Sequence, residues 1–503
     1  VQRRDVAGRR EVIDEADVVI VGSGAGGATA ARVLAGAGLD VIVIEEGPWV
    51  PPAERRLDAY GAFRQLWRDA GFQVAQGRSI TPVLQGCCVG GSTTINGAII
   101  HRLPEEVHAA WDAERGLGQA APYAALLRAF EQIEAELHVG PAPEEVLGGN
   151  NRSMREGMTR LGLGGHVIQR NVRGCQGSAR CNQGCPTGRK QSMDASFLPY
   201  AIERGARVYA TCRADEIVTR RGRAVGVRGR FVDGEGKGPR GEFRARRAVI
   251  AAAGAIHTPL LLLASGVGKR SGLVGRRLQV HPATSVLGRF DERIDMWSGV
   301  TQGFETLALR GQGMKFETAS VPLEILAARF PGFGPALIDL LADADRVAQW
   351  GVEVRARALG SVTPGPGGKP FVQIDLGPED VALLKRGLLT LGRAMFAAGA
   401  REVMPGVVGV PARLTDPAGL DAILRVPDDP RHFHCITSHV FGTAVLGTDP
   451  TRSVVDPEGQ SHEVAGLYVL DASIFPSNIG VNPQHSICGL TWVLSERLAA
   501  RCS

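Results

Sequence analysis

Residues 17–48 read DVVIVGSGAGGATAARVLAGAGLDVIVIEEGP. An apolar run, Val18 to Val21, meets the turn Gly22-Ser23-Gly24-Ala25-Gly26-Gly27. A helical stretch of small residues follows, and a second apolar run, Val41 to Ile44, ends on Glu45. The order is strand, glycine turn, helix, strand, acid. Gly22 permits the turn, Gly24 lets the backbone approach a pyrophosphate, and Gly27 lets helix and strand pack closely. The diphosphate would then sit at the positive N-terminus of the helix. Glu45 lies 18 residues beyond Gly27, where a carboxylate accepts hydrogen bonds from a ribose diol. The stretch predicts a dinucleotide site and leaves open which dinucleotide.

The 503 residues are too many for one small core and predict two domains or one large two-lobed body. Apolar residues at 44% and charged residues at 22% place the chain among ordinary globular proteins. Its 66 glycines are dispersed, which fits turns rather than a fibrous repeat. The net charge of +5 comes from arginines in short groups, such as Arg9-Arg10 and Arg244 to Arg247, so a solvated surface is expected and no nucleic-acid partner. No apolar run reaches transmembrane length, so no integral membrane segment is expected. The opening residues VQRRDVAGRREVIDEAD lack the apolar core of a Sec signal, and a cytoplasmic location is expected. Nine cysteines, an odd number, argue against a disulfide framework.

A second glycine-rich loop, Gly86 to Gly97, contains Gly90-Gly91-Ser92-Thr93-Thr94-Ile95-Asn96. Adjacent glycines, hydroxyls and an Asn suit a backbone that hugs a ligand. Taken with the first turn, Glu45 and Gly47, this loop resembles the glucose–methanol–choline (GMC) family of flavin oxidoreductases, and the resemblance extends over the whole chain. Some members attach the flavin through a histidine in this loop; Ile95 stands at that position here, which implies non-covalent FAD. The resemblance implies an α/β, two-lobed α+β fold. A discontinuous Rossmann-like FAD-binding domain would take residues 1–110, 186–290 and 436–503. A substrate-binding domain of antiparallel sheet and helices would take residues 111–185 and 291–435. Within the FAD-binding domain, Ile217 occupies about the place whose backbone meets the adenine, and Gly254-Ala255-Ile256-His257-Thr258-Pro259 matches the second family signature. His281 matches a recurring position and is read as structural.

Two stretches stand outside this scheme. Cys175, Cys181 and Cys185 lie within eleven residues. Their spacing fits neither paired zinc ligands nor a usual iron–sulfur run. Thiols in a tight loop beside the active site are the favoured reading, and a metal or cluster the other. Leu323 to Leu341 is apolar but interrupted by Phe330-Pro331-Gly332-Phe333-Gly334-Pro335; it is read as core in preference to a pocket or entrance for a bulky apolar alcohol.

The C-terminal segment carries the chemistry. It contains His439-Val440-Phe441-Gly442-Thr443, a strand closing on Asp471-Ala472, and Asn482-Pro483 at the start of a final helix. An acid at the end of a strand and a helix N-terminus can embrace the far end of a dinucleotide, which favours FAD over a nicotinamide cofactor. In the family resembled, a His from the first of these elements and a His or Asn from the last stand over the flavin; here they are His439 and Asn482. The expected reaction oxidises the CH–OH group of an alcohol to aldehyde or ketone, with hydride transfer to flavin N5. His439 would take the hydroxyl proton and Asn482 would position the oxygen. A non-redox lyase or decarboxylase on the same fold is the alternative. The substrate is a small-molecule alcohol, and the electron acceptor is O2 or another oxidant.

Overall fold

The computed structural model describes residues 1–6, 8–233 and 236–502. The strand Glu11–Val21 pairs in parallel with Val41–Ile44, Val18 opposite Val41 and Val21 opposite Ile44. All four residues of Val41–Ile44 are buried, because strands covered by helices on both faces have no polar side to alternate with. Arg207–Tyr209 extends the sheet on one side. On the other, Gly236–Ala251 pairs in parallel with Glu11–Val21, Val21 opposite Ala251. The long strand Gly236–Ala251 also pairs antiparallel with Arg223–Asp233, which in turn pairs with Cys212–Arg220. Its last residues pair in parallel with Leu467–Val469. Arg207–Tyr209 and Cys212–Arg220 are separated at Thr211, whose φ of 54° turns the chain.

These registers end four parallel strands at one edge, where the loops after Val21, Ile44, Ala251 and Val469 converge. In open α/β sheets that carboxyl edge is where ligands bind. The helices Ala25–Gly36 and Gln484–Cys502 pack against each other beside it.

The second sheet has eleven strands. At its centre Arg276–Arg289 pairs antiparallel with Val347–Val354 and with Ile436–Phe441. Met314–Thr318 continues it beyond Val347–Val354, Lys315 opposite Glu353. Every residue of Val347–Val354 is buried, Gln349 and Glu353 included. Polar side chains in such a strand require partners, and these define the site described below.

The stretch read as core over residues 323–341 divides. It forms two short helices, Leu323–Ala327 and Pro335–Ala342. Leu326, Phe330 and Leu340 anchor them in a small cluster with Leu287, Met296 and Met404. The remainder faces outward, Phe333 being 88% exposed and Ile338 66%. Eight- and five-residue helices bury one narrow stripe each, so apolar residues on their other faces stay in solvent. Among the described residues no helix is long and apolar enough to cross a membrane.

Candidate active site

The glycine turn is built as its spacing predicts. Gly22 has φ +99°, and a Cβ there would lie 2.3 Å from the Ala252 carbonyl oxygen. A Cβ on Gly27 would lie 1.9 Å from the Gly22 carbonyl oxygen, so helix and strand meet as backbone. Gly24 differs from both: the nearest atom to a Cβ there is 4.0 Å away, across open space. That space belongs to a cavity of about 1110 Å³ running along the carboxyl edge.

Glu45 is buried and lines this cavity. Its Oε2 accepts from the Ser23 N–H at 3.0 Å and the Ser23 hydroxyl at 2.6 Å, and its Oε1 from the Gly47 N–H at 2.8 Å. Burial pushes its carboxyl up, and these three donors oppose the shift. The Ser23 hydroxyl in turn accepts from the Gly90 N–H at 3.0 Å. Glu45 thus ties the first glycine turn to the second, and its Oε1, with one partner, retains acceptor capacity. Ser23, which no motif singled out, is the link.

Asp471 does the same on the other side. Its Oδ2 accepts from the Gly254 N–H at 2.8 Å and the Thr258 hydroxyl at 2.6 Å, and its Oδ1 from the Ser473 N–H at 2.7 Å. Asn96 donates to Gln484 Oε1 at 2.5 Å and accepts from the Ala98 N–H at 3.0 Å, joining the second glycine loop to the last helix.

The cavity wall brings together Gly22, Gly24, Glu45, Gly91, Ser92 and Asn96 with Gly254, Asp471, Ala472, His439, Asn482 and Pro483. Gly27, Gly47 and Gly90 lie in the layer behind it, where close backbone contacts hold the turns. Ile217 is not at the wall. Its N–H donates to the Ser265 hydroxyl at 2.8 Å, and Cys212 to Asp215, nearer the start of the same strand, face the cavity instead.

Among the described residues, seven buried polar atoms of the lining side chains have no hydrogen-bond partner: Arg68 Nε, Gln85 Oε1, His257 Nε2, Gln349 Oε1, Glu353 Oε2, Asn482 Oδ1 and Gln484 Nε2. Buried polar groups in native proteins are hydrogen-bonded, so these atoms call for a bound group. A helix N-terminus with a backbone turn for a diphosphate, and unsatisfied side-chain amides further along, fit FAD.

His439 stands on Ile436–Phe441. Its Nδ1 lies 3.3 Å from Glu353 Oε1 and 3.3 Å from His281 Nδ1. Burial lowers the His439 pKa, with Glu353 opposing, and burial pushes His281 down to about 3. Both imidazoles are therefore neutral at pH 7. Behind them Lys315 is fully buried among three carboxylates: Glu317, Glu305 at 3.1 Å and Glu353 at 3.5 Å. Burial lowers the Lys315 pKa less than the carboxylates raise it, and the ammonium persists. Burial alone would raise Glu353, but the charge of Lys315 leads the interactions that outweigh it and hold the carboxyl below its usual range. Glu317 is pushed up by burial and by Glu353, and its side chain faces the cavity. Sequence reading singled out His439 and Asn482, which both line the cavity, but not Glu353, Lys315 or the contact of His281. The alternation Lys315–Glu317 in one strand was the available signal, since two charges on one face of an otherwise apolar strand need company.

His101 and His166 join this group through Glu305, at 3.0 and 3.1 Å, and two further histidines lie apart. His485 accepts or donates at 3.0 Å to Glu134, and His434 meets Arg329 at the cavity rim.

The cysteine loop packs under the second glycine loop. The fully buried Arg170 places its guanidinium 3.1 Å from Cys181 Sγ and 3.8 Å from Cys175 Sγ. Burial pushes the Cys181 thiol up, but Arg170 and Lys190 outweigh it and lower its pKa. Lys190 donates to the carbonyls of Thr94 at 2.7 Å, Asn96 at 2.9 Å and Cys181 at 3.0 Å. The described residues hold no group of three metal-ligating side chains in mutual reach that includes a cysteine.

A glycine-turn dinucleotide crevice with a second antiparallel sheet across it defines a two-lobed flavin oxidoreductase. Residues 10–283 and 358–491 match the N-terminal and C-terminal families both described as GMC oxidoreductase, and the chain belongs to that family, whose cofactor is FAD. It is 38% identical to an uncharacterized GMC-type oxidoreductase of Mycobacterium tuberculosis, over 97% of this chain and 76% of the relative. It is 36% identical to another from Sinorhizobium fredii, over 97% and 95%. A long-chain-alcohol oxidase of Arabidopsis thaliana is 27% identical over 96% of this chain and 67% of its own length. Among solved structures, formate oxidase of Aspergillus oryzae RIB40 superposes with a TM-score of 0.72 at 16% identity, covering 97% of this chain and 98% of that one. Pyridoxine 4-oxidase gives 0.71 at 18% identity, over 96% and 98%. At these identities the solved structures show the fold.

Proposed function

We propose that this chain uses non-covalently bound FAD to oxidise the CH–OH group of an apolar alcohol to an aldehyde or ketone, with His439 as base. The observation that carries the reading is that His439 and Asn482, 43 positions apart, border one cavity with the nucleotide turn. Bound FAD supplies the acceptor for the carbinol hydride. Removal of the hydroxyl proton falls to a protein group, which must be neutral beforehand; burial keeps His439 so. The Asn482 amide, 8% exposed and lining the cavity, can bond a substrate hydroxyl and orient its C–H. Attachment without a covalent bond is supported by the loop Gly90–Asn96, which offers Ile95 in place of a histidine.

An apolar substrate is favoured by the cavity mouth. Val321, Pro322 and Ile325 line it beside the outward-facing helices, and Phe72, 82% exposed, stands at another part of the wall. The name of the Arabidopsis relatives points the same way.

The test is anaerobic mixing of the yellow protein with alcohols of increasing chain length. Bleaching of the flavin absorbance is expected with long-chain alcohols. His439→Ala should keep its flavin and bleach at least about a hundredfold more slowly. Bleaching of that variant at the wild-type rate removes His439 from the reaction. Turnover of a substrate with the flavin oxidised throughout supports the lyase alternative.

A further inference from the structure

Two imidazole nitrogens face each other across 3.3 Å, His439 Nδ1 and His281 Nδ1. Only one of them can carry a proton on that side. Glu353 decides between them, because its Oε1 lies 3.3 Å from His439 Nδ1 while its Oε2 lies 3.7 Å from His281 Nδ1. An ionised carboxylate draws the nearer N–H to itself. Its ionisation is secured from behind by the buried Lys315 ammonium, 3.5 Å away.

We propose that Glu353, kept ionised by Lys315, holds the proton of His439 on Nδ1 and so leaves the Nε2 lone pair bare for the substrate hydroxyl. Glu353 is the positioning residue of the base, and it rests on the assignment of His439 above. When the alcohol gives up its proton, the O–H bond breaks and an Nε2–H bond forms. The resulting imidazolium then carries both ring protons, with Glu353 as its counter-ion at Nδ1. His281, neutral and sealed from solvent, completes the enclosure without competing for that charge. The ionisable groups that face His439 are His281 from the paired strand, Glu353 and Lys315 from the two strands beyond it, and His101 from farther off. Among them only Glu353 both touches the ring and carries negative charge.

Two measurements separate this proposal from the reading it rests on. Nitrogen-15 histidine-ring spectra of the resting flavoprotein report the tautomer without any substrate. The His439 ring, assigned by its loss in His439→Asn, is expected to be protonated at Nδ1 in the wild type and to lose that preference in Glu353→Gln. A wild-type ring protonated at Nε2 overturns the proposal. The second measurement is the pH dependence of anaerobic flavin reduction by alcohol. Glu353→Gln, isosteric and neutral, is expected to reduce about a hundredfold more slowly and to move the acid-limb midpoint down by about one unit, since the carboxylate that favoured imidazolium is gone. Equal rates and an unmoved midpoint overturn the proposal while leaving His439 as base. If no alcohol bleaches the wild type, the functional reading fails, and the ring spectra still decide the tautomer. Lys315→Met should reproduce the Glu353→Gln tautomer change by letting Glu353 take a proton.

Discussion

At the residue scale, the glycines of the first turn differ in what they leave room for. A Cβ on Gly24 would project into open space at the cavity, whereas one on Gly26 would lie 1.9 Å from the Leu470 carbonyl oxygen. Gly24→Val should therefore fold with its melting temperature little changed yet purify with little flavin. Gly26→Ala should lose stability by about 1–3 kcal/mol through overpacking and release flavin only as it unfolds. Thermal melts paired with the flavin-to-protein absorbance ratio check both, and equal flavin occupancy in Gly24→Val and wild type would place the diphosphate elsewhere. Glu45→Ala removes three hydrogen bonds that hold Ser23 and Gly47. It should weaken FAD retention about tenfold or more, read by dialysis of the holoprotein; unchanged retention would show that the turns hold their shape without it.

At the scale of elements, the nucleotide half was legible because it repeats a local pattern of buried strand, turn and helix, each residue's role set by neighbours close in sequence. The roof over it was not. Val347–Val354 reads as an apolar strand, yet its one acid, Glu353, has partners 38 and 86 positions away in Lys315 and His439. Such pairings follow from strand registers between distant segments, which spacing does not encode. Ile217 missed the wall for a related reason: the direction of its strand was readable, but not the point where the strand leaves the crevice. Leu323–Ala342 shows a third limit, since apolar content alone does not say which side of a short helix is covered. That segment yields a prediction of its own. Phe333→Ser and Ile338→Ser alter exposed positions and should change stability by less than about 0.5 kcal/mol. They should raise KM for long-chain alcohols while leaving short-chain alcohols unaffected, as initial rates across a chain-length series would show. An equal effect on both would detach the helices from substrate entry.

For the whole molecule, several histidines are buried neutral. Burial pushes His257 down to about 4 and His281 to about 3, and lowers His439 and His485. An unfolded chain protonates these rings below about pH 6.5 while the folded one does not. Their contribution to stability is therefore complete above that pH and is lost progressively as pH falls from about 6.5 towards 3. The carboxylates held low, Glu353 and Glu305, act in the same direction at the lower end of that range. Melting temperature should accordingly fall steadily between pH 7 and pH 5, and a flat profile over that interval would mean the rings gain protons without unfolding. Charge patterning hinted at none of this, because neutrality of a histidine comes from the packing around it.

The strand Leu467–Val469 inserts beside Gly236–Ala251 only after synthesis has passed residue 467. Until then the turn at Gly22 has no Leu470 to close against, and Asn482 and the final helix are still missing from the crevice. During synthesis the nascent protein must consequently wait, with its first signature complete and its cavity open, until the segment from Leu467 to the helix Gln484–Cys502 has left the ribosome. Cofactor retention thus waits on residues remote from the first signature, and a ribosome stalled short of residue 470 would display the nucleotide motif on a chain unable to retain the nucleotide.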